Sequence, residues 1–85
     1  MEDLLQIQEK VRQFIVKTSY AEDEQINNDT LIFEQGIMDS MGFMSLITFI
    51  EESYSIQAND DELLEANFES IDAIAGFVKK KLDLN

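Results

Sequence analysis

The sequence predicts an all-α protein: a small irregular four-helix bundle, three longer helices and one short, with a long loop between the first and the second. Three observations carry this. Apolar residues recur three and four apart in three separate segments, the period of a helix with one buried face. Residues that favour strands occur singly rather than in alternating runs. Between the first two periodic segments, from Ser19 to Asp39, the pattern lapses. At 85 residues the chain makes one domain, 1–85, with a modest core and no room for a deep active site beside it.

The first helix has Leu4, Ile7, Val11, Phe14, Ile15 and Thr18 on one stripe, and Asp3 is placed to cap it. In the loop that follows, Ala21 to Thr30 is polar and acidic. Leu31-Ile32-Phe33 is an apolar knot that should pin the loop to the core before Gly36. Loops of this length in small domains tend to be functional.

Asp39 and Ser40 open the second helix, which runs to about Tyr54. At roughly 100° per residue, Phe43, Leu46, Ile47, Ile50 and Tyr54 face the core. Met41, Met44, Ser45, Thr48, Glu51 and Glu52 face away. Asp60-Asp61-Glu62-Leu63-Leu64-Glu65 reads as a short third helix. Ser70 then caps the last helix, with Ile71, Ile74, Ala75, Val78 and Leu82 as its stripe and Lys79, Lys80 and Lys81 near its C-terminal end, where cations suit the helix dipole.

Charge and composition exclude several classes. Six basic residues against eighteen acidic give a net charge of -12, and no Lys or Arg occurs between residues 18 and 78, a stretch with fourteen of the acids. Such a surface repels nucleic acid and anionic membranes and attracts basic protein faces. No run is long enough to span a bilayer, and Met1-Glu2-Asp3 has the wrong charge for a signal peptide, so a cytoplasmic monomer is expected. There is no cysteine and no histidine. Thiolate metal sites and a self-contained serine hydrolase fall away together, because a serine needs an adjacent base to act as a nucleophile. Neither Glu22-Asp23-Glu24 nor Asp60-Asp61-Glu62 has the spacing of a calcium loop, and no metal site is expected.

Ser40 is thus a serine for another enzyme to modify. A phosphate there would meet the free N–H groups and positive dipole of a helix N-terminus. Met41 and Met44, adaptable apolar side chains off the core stripe, extend the same face and suit a partner. With Asp39, Ser45, Glu51 and Glu52 they form the expected recognition surface.

Gly36-x-x-Asp39-Ser40-Met41-Gly42-Phe43 resembles the attachment motif of acyl and peptidyl carrier proteins, whose usual form is Asp-Ser-Leu at the start of the second helix. The resemblance spans nearly the whole chain, including Ile50 to Ile56 and the Asn67-Phe68-Glu69-Ser70-Ile71 element that opens the last helix. It implies a carrier and not an enzyme. A phosphopantetheinyl transferase would move 4'-phosphopantetheine from coenzyme A onto Ser40, and the arm's thiol would hold an acyl or aminoacyl group as a thioester. Two departures are informative. Met41 stands for the usual Leu, at similar volume. The first half of the second helix lacks the acids usual in carriers of primary fatty-acid synthesis, which points to a discrete carrier served by a dedicated adenylating ligase in a specialised pathway.

Phe43 falls near where such carriers open a cleft for lipid chains. A ring filling that cleft would favour short acyl or aminoacyl loads. The alternative to a carrier is an acidic helical interaction adaptor without a prosthetic group, in which Ser40 is only a helix cap.

Overall fold

Asp3 decides where the first helix begins. Its carboxylate accepts the Gln6 amide at 2.9 Å, and the Gln6 side chain accepts the Asp3 amide at 3.0 Å, a reciprocal capping box. Helix α1 (Leu4–Thr18) buries Ile7, Val11 and Ile15 completely. Asp39 opens α2 (Ser40–Tyr54) by accepting the Gly42 amide at 2.9 Å. Ser70 opens α4 (Ile71–Leu84) by accepting the Ala73 amide at 3.1 Å. Each cap satisfies a donor that the first helical turn leaves unpaired. The structure is a computed structural model that describes residues 3–19 and 21–84. Met1, Glu2, Tyr20 and Asn85 lie outside the described residues, and with them part of the acidic opening read above.

The described residues form helices, turns and loops, with no strand among them. Helix α1 packs chiefly against α4, and Gln8 donates to Asp72 at 3.0 Å. Helix α2 runs antiparallel to α1. Phe14 stacks on Phe49 with centroids 4.3 Å apart, and Lys10 lies 5.1 Å over the Tyr54 ring. Leu46, Ile47, Ile50 and Tyr54 are buried as the periodicity requires.

The third segment differs from the sequence expectation. Asp60–Glu62 is a single 3-10 turn, and the short helix, α3 (Glu65–Phe68), starts only after it. Leu63, at φ -81° and ψ 58°, breaks the path between them. Glu62 explains the break, because its groups bond outward in several directions. Its carboxylate accepts the Asn59 amide at 2.9 Å and Lys81 Nζ at 2.9 and 3.2 Å, while its carbonyl accepts Asn67 Nδ2 at 2.8 Å.

The long loop is held along its middle. Arg12 reaches from α1 to the Ile26 carbonyl and the Asn28 side chain. The Asn28 carbonyl accepts the Asp72 amide at 2.9 Å, and the Ile32 amide donates to the Glu69 carbonyl at 2.9 Å. Within the apolar knot only Ile32 is fully buried, Phe33 being half-buried and Leu31 exposed. Ile26, Met38 and Ile56, outside any regular element, complete the core with Phe68 and Phe77.

Candidate functional site

Gly36 and Ile32 aim the chain into α2. The Ile32 carbonyl accepts the amides of both Ile37 and Met38, at 2.9 and 3.1 Å, which bends the loop tightly around Gly36. Gly36 has φ +73°, a left-handed conformation that glycine adopts without steric cost. From there Met38 turns inward and is buried, while Asp39 and Ser40 emerge on the surface.

Ser40 is the first residue of α2 and is exposed. With the Gly42 amide taken by Asp39, the amides of Ser40 and Met41 stand at the free end of the helix, which carries its positive partial charge. Among the described residues none hydrogen-bonds the Ser40 hydroxyl. The site thus presents an open hydroxyl on a fixed helix end.

Two depressions flank this point, and Met38 and Asp39 form the wall between them. The larger, about 740 Å³, lies on the loop side, with Thr18, Gln25 and Gln35 among its lining. The smaller, about 390 Å³, is lined by Ser40 itself with Phe33, Phe43, Leu63 and Glu65. Phe43 therefore does not close the cleft, as its position in the sequence suggests it should. Its ring sits edge-on between Phe33, 5.7 Å away, and Phe68, 5.4 Å away, and so becomes a wall of the hollow. Sequence reasoning found Ser40 and Phe43 but missed Phe33 and Glu65 as neighbours of the serine. Their separation along the chain leaves no local signal for the meeting.

The expected recognition residues divide. Met41 and Met44 are 81% and 59% exposed, and Ser45 and Glu52 are exposed with them. Glu51 is half-buried and accepts the Ala58 amide at 2.9 Å, so its carboxylate holds the segment leaving α2. Asp39 is exposed yet spends one oxygen on capping.

No helix among the described residues is long and apolar enough to cross a membrane. Residues 9–78 match the family described as Phosphopantetheine attachment site. An acyl carrier protein of Buchnera aphidicola subsp. Baizongia pistaciae (strain Bp) is 28% identical over 74 residues, a match covering 87% of this chain and 92% of that protein. The open hydroxyl and the hollows beside it fit such an arm, and the chain belongs to the phosphopantetheine attachment family, carrier proteins rather than enzymes, with 4'-phosphopantetheine as the cofactor.

Proposed function

We propose that Ser40 is the attachment residue and that the protein is a discrete carrier of a specialised pathway. The observation that carries this is the exposed hydroxyl at the first position of α2, without a hydrogen-bond partner among the described residues and bordering a hollow. A transferase would supply the base that the chain lacks. The bond from Ser40 Oγ to phosphorus forms as coenzyme A loses its adenosine 3',5'-diphosphate, and the hydroxyl proton passes to the transferase. When bound, the arm supplies a thiol that holds cargo as a thioester.

What this chain's own residues do is present and orient. The helix end at Ser40 and Met41 favours the phosphodiester charge. Asp39 fixes the helix start, so the hydroxyl sits on a rigid element. Met41, Met44, Ser45 and Glu52, together with Asp39, face incoming enzymes, while Glu51 holds the segment leaving α2. The apolar character of the Met41–Met44 turn supports a dedicated adenylating ligase as the loading partner, with the carrier working as a monomer in the cytoplasm.

The test is intact-mass measurement after incubation with coenzyme A, magnesium and a broad-specificity transferase. The expected result is a gain of one phosphopantetheine, lost in Ser40→Ala. An unmoved wild-type mass, with the transferase active on another carrier, would leave the interaction adaptor as the better account.

A further inference from the structure

Sulfur in this chain is confined to four methionines, since there is no cysteine, and the fold sorts three of them sharply by access. Met38 is 6% exposed, lying so close under the start of α2 that a Cβ at Gly42 would meet its Cγ at 2.8 Å. Met41 and Met44 stand on the outside of the same helix, at 81% and 59% exposure. They are three residues apart, so their thioethers share one face, and Met41 directly follows Ser40. Its neighbours along the chain, Ser40 and Gly42, carry side chains too short to shade it. Met1 lies outside the described residues.

A thioether sulfur is nucleophilic without losing a proton, so Met41 reacts without the base that the chain fails to give Ser40. The sulfur attacks one oxygen of hydrogen peroxide, and the S–O bond forms as the O–O bond breaks. The departing hydroxide takes the proton of the transferred oxygen and leaves as water. Sulfur is oxidised by two electrons and the peroxide is reduced by two. Hydrogen peroxide is uncharged, so the net charge of -12 does not turn it away as it would an anionic oxidant. The product, methionine sulfoxide, is polar and chiral where the thioether was flexible and apolar. An enzyme closing over it would bury an oxygen that demands a donor, at a place where the thioether demanded none.

Resting on the reading of Ser40 as the attachment residue, we propose that Met41, with Met44 beside it, is a modification site for peroxide, and that the sulfoxide at Met41 closes the face through which enzymes reach Ser40. Oxidative conditions would thus hold new carrier in its unmodified form. Met38 takes no part, because the packing that covers it also shields its sulfur.

To test this, the full-length unmodified protein is treated with hydrogen peroxide, and catalase removes the oxidant before coenzyme A, magnesium and transferase are added. Peptide masses locate each added oxygen, and intact mass follows the rate of phosphopantetheine gain. Sulfoxide is expected at Met41 and Met44 well before Met38. The rate should then fall at least about fivefold, the size of effect that a buried oxygen without a partner produces. Met41→Leu keeps nearly the same volume without the sulfur. Compared with its own untreated rate, it should lose most of that fall, while Met1 remains to report any contribution of its own. The melting temperature should be the same before and after oxidation. A rate unchanged at full Met41 oxidation, an equal fall in Met41→Leu, Met38 oxidised as fast as Met41, or a fall that tracks a lowered melting temperature would each overturn the proposal. Absence of any mass gain in the untreated protein, with the transferase active on another carrier, would instead remove the attachment reading, and the effect on modification with it.

Discussion

A methyl group added at Gly42 would stand 2.8 Å from Met38 Cγ, closer than real side chains come. The glycine lets α2 begin directly over a buried methionine, and that methionine walls both depressions. Alanine in a helix is worth up to about 1 kcal/mol over glycine, but overpacking a core costs about 1–3 kcal/mol. Gly42→Ala is therefore expected to destabilise by about 1 kcal/mol, read as a lower urea midpoint. In a Met38→Ala background the same change should stabilise, a sign reversal that a double-mutant cycle measures. Met41 and Met44 behave differently because they are exposed. Replacing either with Ala should cost less than about 1 kcal/mol, against roughly 2–5 for a buried Met, while slowing modification or loading. Loss of folding on Met44→Ala would place that side chain in the core. At this scale the serine was legible, because a cap, a hydroxyl and an apolar helix are neighbours in sequence. The hollow was not, because Phe33 and Glu65 meet Ser40 only through packing.

The long helices were read correctly because their caps and stripes are local signals repeated over several turns. The third segment was misread for the converse reason. Six residues hold too little periodicity to tell a helix from a turn, and what shapes Asp60–Glu62 is Lys81, nineteen positions away. Glu51 is a similar case, a helix-surface acid by spacing whose carboxylate is taken by the Ala58 amide. The bond from the Asn59 amide, followed by the bond from Lys81, lowers the Glu62 carboxyl below its ordinary 4.5. A carboxylate depressed in the folded state stabilises above its unfolded pKa and loses that contribution as pH falls through the folded value. The stability difference between wild type and Glu62→Gln should accordingly be present at neutral pH and vanish on acidification. Denaturant midpoints across that range measure it. A difference independent of pH would assign the effect of Glu62 to shape alone.

Over the whole molecule, a net charge of -12 is spread on a body of 34 × 25 × 19 Å. The cations cluster in α1 and α4, where Lys79 pairs with Asp83 at 3.4 Å and Lys81 with Glu62, leaving the face around α2 to the acids. Repulsion among those acids opposes folding, and salt relieves it. Raising sodium chloride from a few millimolar to about 0.5 M, where the Debye length falls below ~5 Å, should raise the melting temperature. A gain of about 1 kcal/mol corresponds to roughly 4–8 °C for a domain this size. A lower melting temperature in salt would mean that the ion pairs outweigh the repulsion. The architecture of helices around one core was legible in the sequence. The choice of α4 as the chief neighbour of α1 was not, since helix periodicity sets which face is buried and leaves the identity of the neighbour open. One chain of contacts leads from beside Ser40 into the core: Phe33 against Phe43, Phe43 against Phe68, and Phe68 against Phe77, with centroids 5.7, 5.4 and 5.0 Å apart. Each ring carries a circulating π current whose magnetic field shifts nearby protons, so tilting Phe43 at the surface alters the field at Phe68 in the centre. The protein contains its own magnetic gauge of events beside Ser40, readable at buried protons without any added label.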